Sequence, residues 1–145
     1  MAFGDSAQKF WTVDLTTRAG ALSAAKSGST GAFIFCAMGV VGMLFFGLKV
    51  GFTTTLGIAE IGAAGFEAAI ALIAGLRLRQ GKGVIWGGVA AVLVALEGLG
   101  KVLVISIGGI FLSGAVLIML VNGVRGALAL KKDAGFEDDD VEVFN

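Results

Sequence analysis

Four long apolar stretches dominate the chain, separated by short polar breaks. Residues 31–48 are 18 consecutive positions without a charge, the length that reads as a membrane span. Residues 52–76 form a second stretch, interrupted by Glu60 and Glu67. Residues 83–130 hold 48 positions of which only Glu97, Lys101 and Arg125 are charged. One crossing of a ~30 Å hydrocarbon core takes ~20 residues, so this last run suits two crossings. The turn between them is expected at Ser106–Gly109, because paired glycines accept the backbone angles of a tight reversal. The pattern predicts an all-α integral membrane four-helix bundle with spans near 31–50, 52–76, 84–104 and 109–129.

Residues 1–30 do not read as a span. Phe3, Ala7, Phe10, Trp11, Leu15 and Leu22 fall roughly on one side of a helix, with Lys9, Asp14, Arg18 and Lys26 mostly elsewhere. This predicts an N-terminal interfacial amphipathic helix with Phe10 and Trp11 as membrane anchors. The alternative is a flexible leader whose aromatics are incidental. Ser27-Gly28-Ser29-Thr30-Gly31 reads as the break before the first span. Three parts follow: an interfacial segment over 1–30, a four-span domain over 31–130 and an acidic tail over 131–145.

Composition strengthens the membrane reading. Apolar residues make up 57% of the chain against roughly 45–50% in soluble domains, and the mean hydropathy is +0.93. Charged residues fall to 15% against ~25%, too few to wet a folded surface. A soluble enzyme, a disulfide scaffold and a nucleic-acid binder are thereby excluded. The lone Cys36 lies inside an apolar run and closes no intrachain disulfide.

The net charge is zero, but the charges are unevenly placed. The 77–82 loop carries Arg77, Arg79 and Lys82, the C-terminal flank Arg125, Lys131 and Lys132, and the N-terminal segment Lys9, Arg18 and Lys26. The 49–52 connection has only Lys49 and the 105–108 turn has no cation. Under the positive-inside rule both termini and the middle loop face the cytoplasm. A bacterial inner membrane is the expected location. Residues 133–145 of the tail add Asp133, Glu137, Asp138, Asp139, Asp140 and Glu142 and no cation. Its Asp138, Asp139, Asp140, Val143 and Phe144 are candidate partner-binding positions, with the basic 77–82 loop of a neighbour as one possible acceptor.

The chemistry-bearing residues are few. Glu60 and Glu67 lie seven apart and share a face of the second span. Glu97 and Lys101 are an i,i+4 pair in the third, with Glu first, the better order. A hairpin that joined these faces would gather three acids and one ammonium at similar depth. A carboxylate facing lipid costs at least ~2.5–3.5 kcal/mol, so the group should face inward, pair with Lys101, stay protonated or bind a cation. Two readings stay open, a proton or cation relay and a polar clamp that holds helices in register.

Glycine supplies the other signal. Gly47-x-x-x-Gly51 and Gly83-x-x-x-Gly87 are small-x-x-x-small pairs suited to close helix packing. Residues 20–27 come within one position of a phosphate-binding loop, but Ala25 stands where that motif needs Gly, and no strand precedes it. The chain has no His, so it offers no such ligand for haem or chlorophyll and no familiar nucleophile–base pair. No cofactor, no metal and no catalytic residue are expected. The sequence points to a structural, assembly-forming or accessory subunit of a membrane complex, partnered by lipid and by copies of itself or other membrane subunits. The alternative is a small oligomeric proton- or cation-coupled transporter or channel using Glu60, Glu67, Glu97 and Lys101.

Overall fold

The computed structural model describes residues 13–103 and 106–132. Within them four helices follow one another: α1 (Arg18–Val50), α2 (Thr55–Arg79), α3 (Val84–Leu103) and α4 (Ile107–Lys132). All four are long and apolar enough to cross a membrane, and they pack as an all-α bundle.

Local chemistry sets the ends of these helices. Thr17 is extended, and its Oγ1 accepts the Gly20 N–H at 3.0 Å. Thr54 repeats the arrangement for α2, accepting the Gly57 N–H at 3.0 Å. Each hydroxyl satisfies one of the N–H groups that a helix start leaves without a partner. The chain leaves α1 through Gly51, at φ +96°, and leaves α2 through Gly81, at φ +70°. Both are left-handed backbone settings that only glycine adopts at little cost. Arg77 and Arg79 occupy the last turn of α2 and Lys131 and Lys132 that of α4, where cations oppose the negative end of the helix dipole.

The break expected at Ser27–Gly31 does not occur. α1 runs through it for 33 residues, about 50 Å at 1.5 Å per residue. Serine and glycine weaken a solvated helix because solvent and alternative backbone settings compete for it. Here neither competitor has access. Gly28, Ser29 and Gly31 are buried, and Ser29 Oγ donates to the Gly75 carbonyl of α2 at 2.8 Å. The described part of residues 1–30, from Arg18 onward, therefore belongs to α1 and packs within the bundle. The turn between α3 and α4 also comes earlier than expected. Ser106 N–H bonds to the Lys101 carbonyl and Ile110 N–H to the Ser106 carbonyl, both at 2.9 Å, so Gly108 and Gly109 already lie in α4.

α2 and α4 both pack extensively on α1, α3 leans on α4, and the α2–α3 side is the lighter contact. Apart from Gly47 and Gly57, the buried residues cluster toward one half of the bundle: Ala21 to Phe35 of α1, Ala68 to Leu78 of α2, Gly87 to Val94 of α3 and Ser113 to Ala127 of α4. Leu78, Val94, Val116 and Leu120 are its largest fully buried side chains, and most of the remaining core is alanine. This is the half that carries Arg18, Arg77, Arg79, Lys82, Lys131 and Lys132, while Lys49 and Lys101 lie toward the other end. In the opposite half Leu48, Leu56, Leu99, Leu103 and Phe111 are exposed, as suits surfaces that meet hydrocarbon.

Candidate functional site

The polar residues at membrane depth assemble where α3 meets α4. Glu97 lies one helical turn before Lys101, and the Lys101 Nζ sits 2.7 Å from Glu97 Oε1. The same ammonium donates to the Ser113 hydroxyl of α4 at 2.9 Å. Lys101 therefore ties a carboxylate of its own helix to a buried hydroxyl of the next. Glu97 Oε2 is buried and has no hydrogen-bond partner among the described residues.

Gly109 makes room for this contact. A Cβ placed there would lie 2.9 Å from Lys101 Cδ, so the absent side chain leaves a path for the lysine stem. Gly109 was legible as a turn residue, whereas its role is to clear space in the first turn of α4. Ser113 was not singled out as part of the polar group. The depth of Lys101, which needs a partner beyond Glu97 to fill its three donors, was the available signal.

Glu67 is half-buried at the middle of α2 and makes no hydrogen bond or ion pair among the described residues. Glu60 is exposed near the other end of that helix and takes no part in the one salt bridge among the described residues. The structure thus joins Glu97 and Lys101 to Ser113, and neither Glu60 nor Glu67 bonds to them. The cause is the lighter α2–α3 contact, since α3 turns its polar residues toward α4. Among the described residues no three His, Cys, Asp or Glu side chains converge as a metal site.

Of the four packing glycines, Gly87 meets a neighbouring helix closely, with Val124 of α4 2.9 Å from the place of its missing Cβ. Gly47 accommodates the Phe52 ring, Gly51 turns the chain and Gly83 packs on the backbone of Leu78 at the end of α2. A backbone-to-backbone approach lies elsewhere, where Gly28 of α1 crosses Gly123 of α4. Gly126 continues this seam against Ala21 and Ala24, and Gly31 lies against Met119. Reading Ser27–Gly31 as a break hid the pattern. Ala21, Ala24, Gly28 and Gly31 recur at helical spacing as one small-residue stripe. Phe10 and Trp11 lie outside the described residues, as do Asp138, Asp139, Asp140, Val143 and Phe144 of the tail. Compared with known families, curated proteins and solved structures, the chain matches none.

Proposed function

We propose that this chain is a structural, assembly-forming subunit of a membrane complex, joined to its neighbours through the α2–α3 side. Glu67 carries the reading. It stands at the middle of a membrane-spanning helix, is only half-buried, and makes no hydrogen bond or ion pair among the described residues. A carboxylate at that depth facing hydrocarbon costs ~2.5–3.5 kcal/mol, which a covering subunit removes. Beside it Ala59, Gly62 and Ala63 are exposed small residues of the kind that allow helices to approach in lipid. The cations at the ends of the helices face the cytoplasm under the positive-inside rule, in a bacterial inner membrane. There the acidic tail adds a surface for a basic partner.

The native mass in lipid nanodiscs tests this. A discrete oligomer or co-purifying complex is expected, and Gly62→Phe should disperse it. Gly62 is exposed and a Cβ there meets nothing within 4 Å in the monomer, and circular dichroism of Gly62→Phe checks that the helices are kept. A monomer that Gly62→Phe does not alter overturns the reading.

One observation favours a second reading, a proton- or cation-coupled carrier or channel. Glu97 Oε2 is buried without a partner among the described residues, and Glu67 stands at membrane depth on a neighbouring helix. Proton flux into liposomes, lost in Glu67→Gln and Glu97→Gln alike, is the outcome this reading requires. A clamp tolerates both amides, which still hydrogen-bond.

A further inference from the structure

We infer that the open groove at the basic end of the bundle holds the headgroup of an anionic phospholipid. The groove encloses about 690 Å³, within the ~300–1,000 Å³ of small-molecule sites. Four cations from separate parts of the fold line it: Arg18 at the start of α1, Arg77 in the last turn of α2, Lys82 in the α2–α3 turn and Lys131 in the last turn of α4. Among the described residues no acidic side chain lines it.

The other wall is apolar. Leu22, Ile85 and Trp86 line the same groove and are exposed, Ile85 by 79%. A free phosphate or sugar phosphate has no use for such a wall. A phospholipid matches both sides, with its phosphate against the cations and the upper part of its acyl chains along Ile85 and Trp86. Depth agrees with this assignment. Ile85 and Trp86 open α3, immediately after the polar turn, so the groove lies where the helices leave the hydrocarbon. Tryptophan is enriched at that level, and anionic headgroups there draw clustered Lys and Arg. The assignment needs only that the helices span a bilayer, and it is independent of the assembly reading.

Trp86 reports on its own site. The chain has two tryptophans, Trp11 and Trp86, so Trp11→Phe leaves Trp86 as the sole fluorophore. The full chain in phosphatidylcholine vesicles is titrated with acyl-brominated phosphatidylglycerol or, in parallel, acyl-brominated phosphatidylcholine. The anionic lipid should quench Trp86 at a lower mole fraction. Each cation near the surface contributes about fivefold, so Arg77→Gln/Lys82→Gln should reduce the preference roughly 30-fold, and Lys82→Gln alone about fivefold. Circular dichroism confirms that these exposed substitutions keep the helices.

Three results overturn the proposal. Equal quenching by the two lipids removes the headgroup preference. Loss of the preference in millimolar inorganic phosphate assigns the cations to free phosphate. A preference that emerges only in Asp138→Asn/Asp139→Asn/Asp140→Asn shows that the chain's own tail fills the groove.

Discussion

Adding one methyl group at Gly28 or Gly123 should force α1 and α4 apart. A Cβ on Gly123 would sit 2.5 Å from Gly28 Cα and 3.2 Å from its nitrogen, whereas relaxed carbon contacts lie at ~3.5–4.0 Å. The obstructing atoms are backbone, so neither can rotate away, and the helices must part by about 1 Å. A gap of that size forfeits roughly a quarter to a half of each contact it opens, along a seam that includes Ala24, Gly31 and Gly126. Overpacking of this kind costs about 1–3 kcal/mol. Replacing glycine by alanine within a helix returns about 1 kcal/mol of propensity, so the raw change is smaller than the clash.

Gly88→Ala and Gly114→Ala separate the two effects. Both glycines are helical, and a Cβ on either meets nothing within 4 Å. They gain the propensity without the clash and should be neutral or stabilising by up to about 1 kcal/mol. Steric-trapping measurements of unfolding in bicelles should place Gly28→Ala and Gly123→Ala about 1–3 kcal/mol below these controls. The double variant should cost less than the sum of the two, because the first methyl has already opened the seam. Equal stability of all four single variants refutes the close approach.

Two further outcomes concern the polar residues. Lys101→Met removes the partner of Glu97 and the donor to Ser113 and should cost up to about 2.5–3.5 kcal/mol, the insertion cost of an unpaired charge at membrane depth. Glu97→Gln/Lys101→Met should recover most of that loss in the same unfolding assay, and a double variant no better than the single would refute the pairing. At the start of α1, Asp14 lies outside the span, and its Oδ1 accepts the Thr16 hydroxyl at 2.6 Å and the Thr16 N–H at 2.9 Å. The hydroxyl bond first, and the amide bond second, hold its pKa below the ordinary aspartate value. A depressed folded pKa means that the local stabilisation is present above the unfolded value and is lost as pH falls through the folded one. The Thr16 amide resonance should therefore titrate with a midpoint below that of a free aspartate, and Asp14→Asn should abolish the transition.

Much of the fold is legible in the sequence because crossing a bilayer imposes simple arithmetic. A chain in lipid must satisfy its backbone polar groups internally, so the lengths of the apolar runs fix the number of helices. The Glu97–Lys101 pair is legible for a similar reason, since spacing along one helix sets the geometry. The start of α1 is not, because serine and glycine at 27–31 signal a break wherever solvent competes. What overrides that signal is contact with Gly123 and Gly75, residues distant in the chain. The expected association of Glu60 with the cluster depended on which pair of helices packs closely. α3 could turn its polar face to α2 or to α4, and Ser113 with the space left by Gly109 directs it to α4.

The packing is polarised, and the polarity links the seam to the proposed assembly. In one half of the bundle glycine and alanine bring α1 against α4 until backbone meets backbone, and this seam needs nothing further to cover it. In the other half the helices present large apolar side chains, yet α2 also carries Glu60 and Glu67 there among Ala59, Gly62 and Ala63. Leucine and phenylalanine rest in lipid at no cost, so their exposure alone implies no partner. Carboxylates and small residues on the same helix do not share that indifference. Small residues leave contact area unused unless another helix fills it, and the carboxylates remain costly until a polar or protein surface covers them. A subunit held rigid at its basic end and open along α2 can therefore meet a neighbour without repacking its own core.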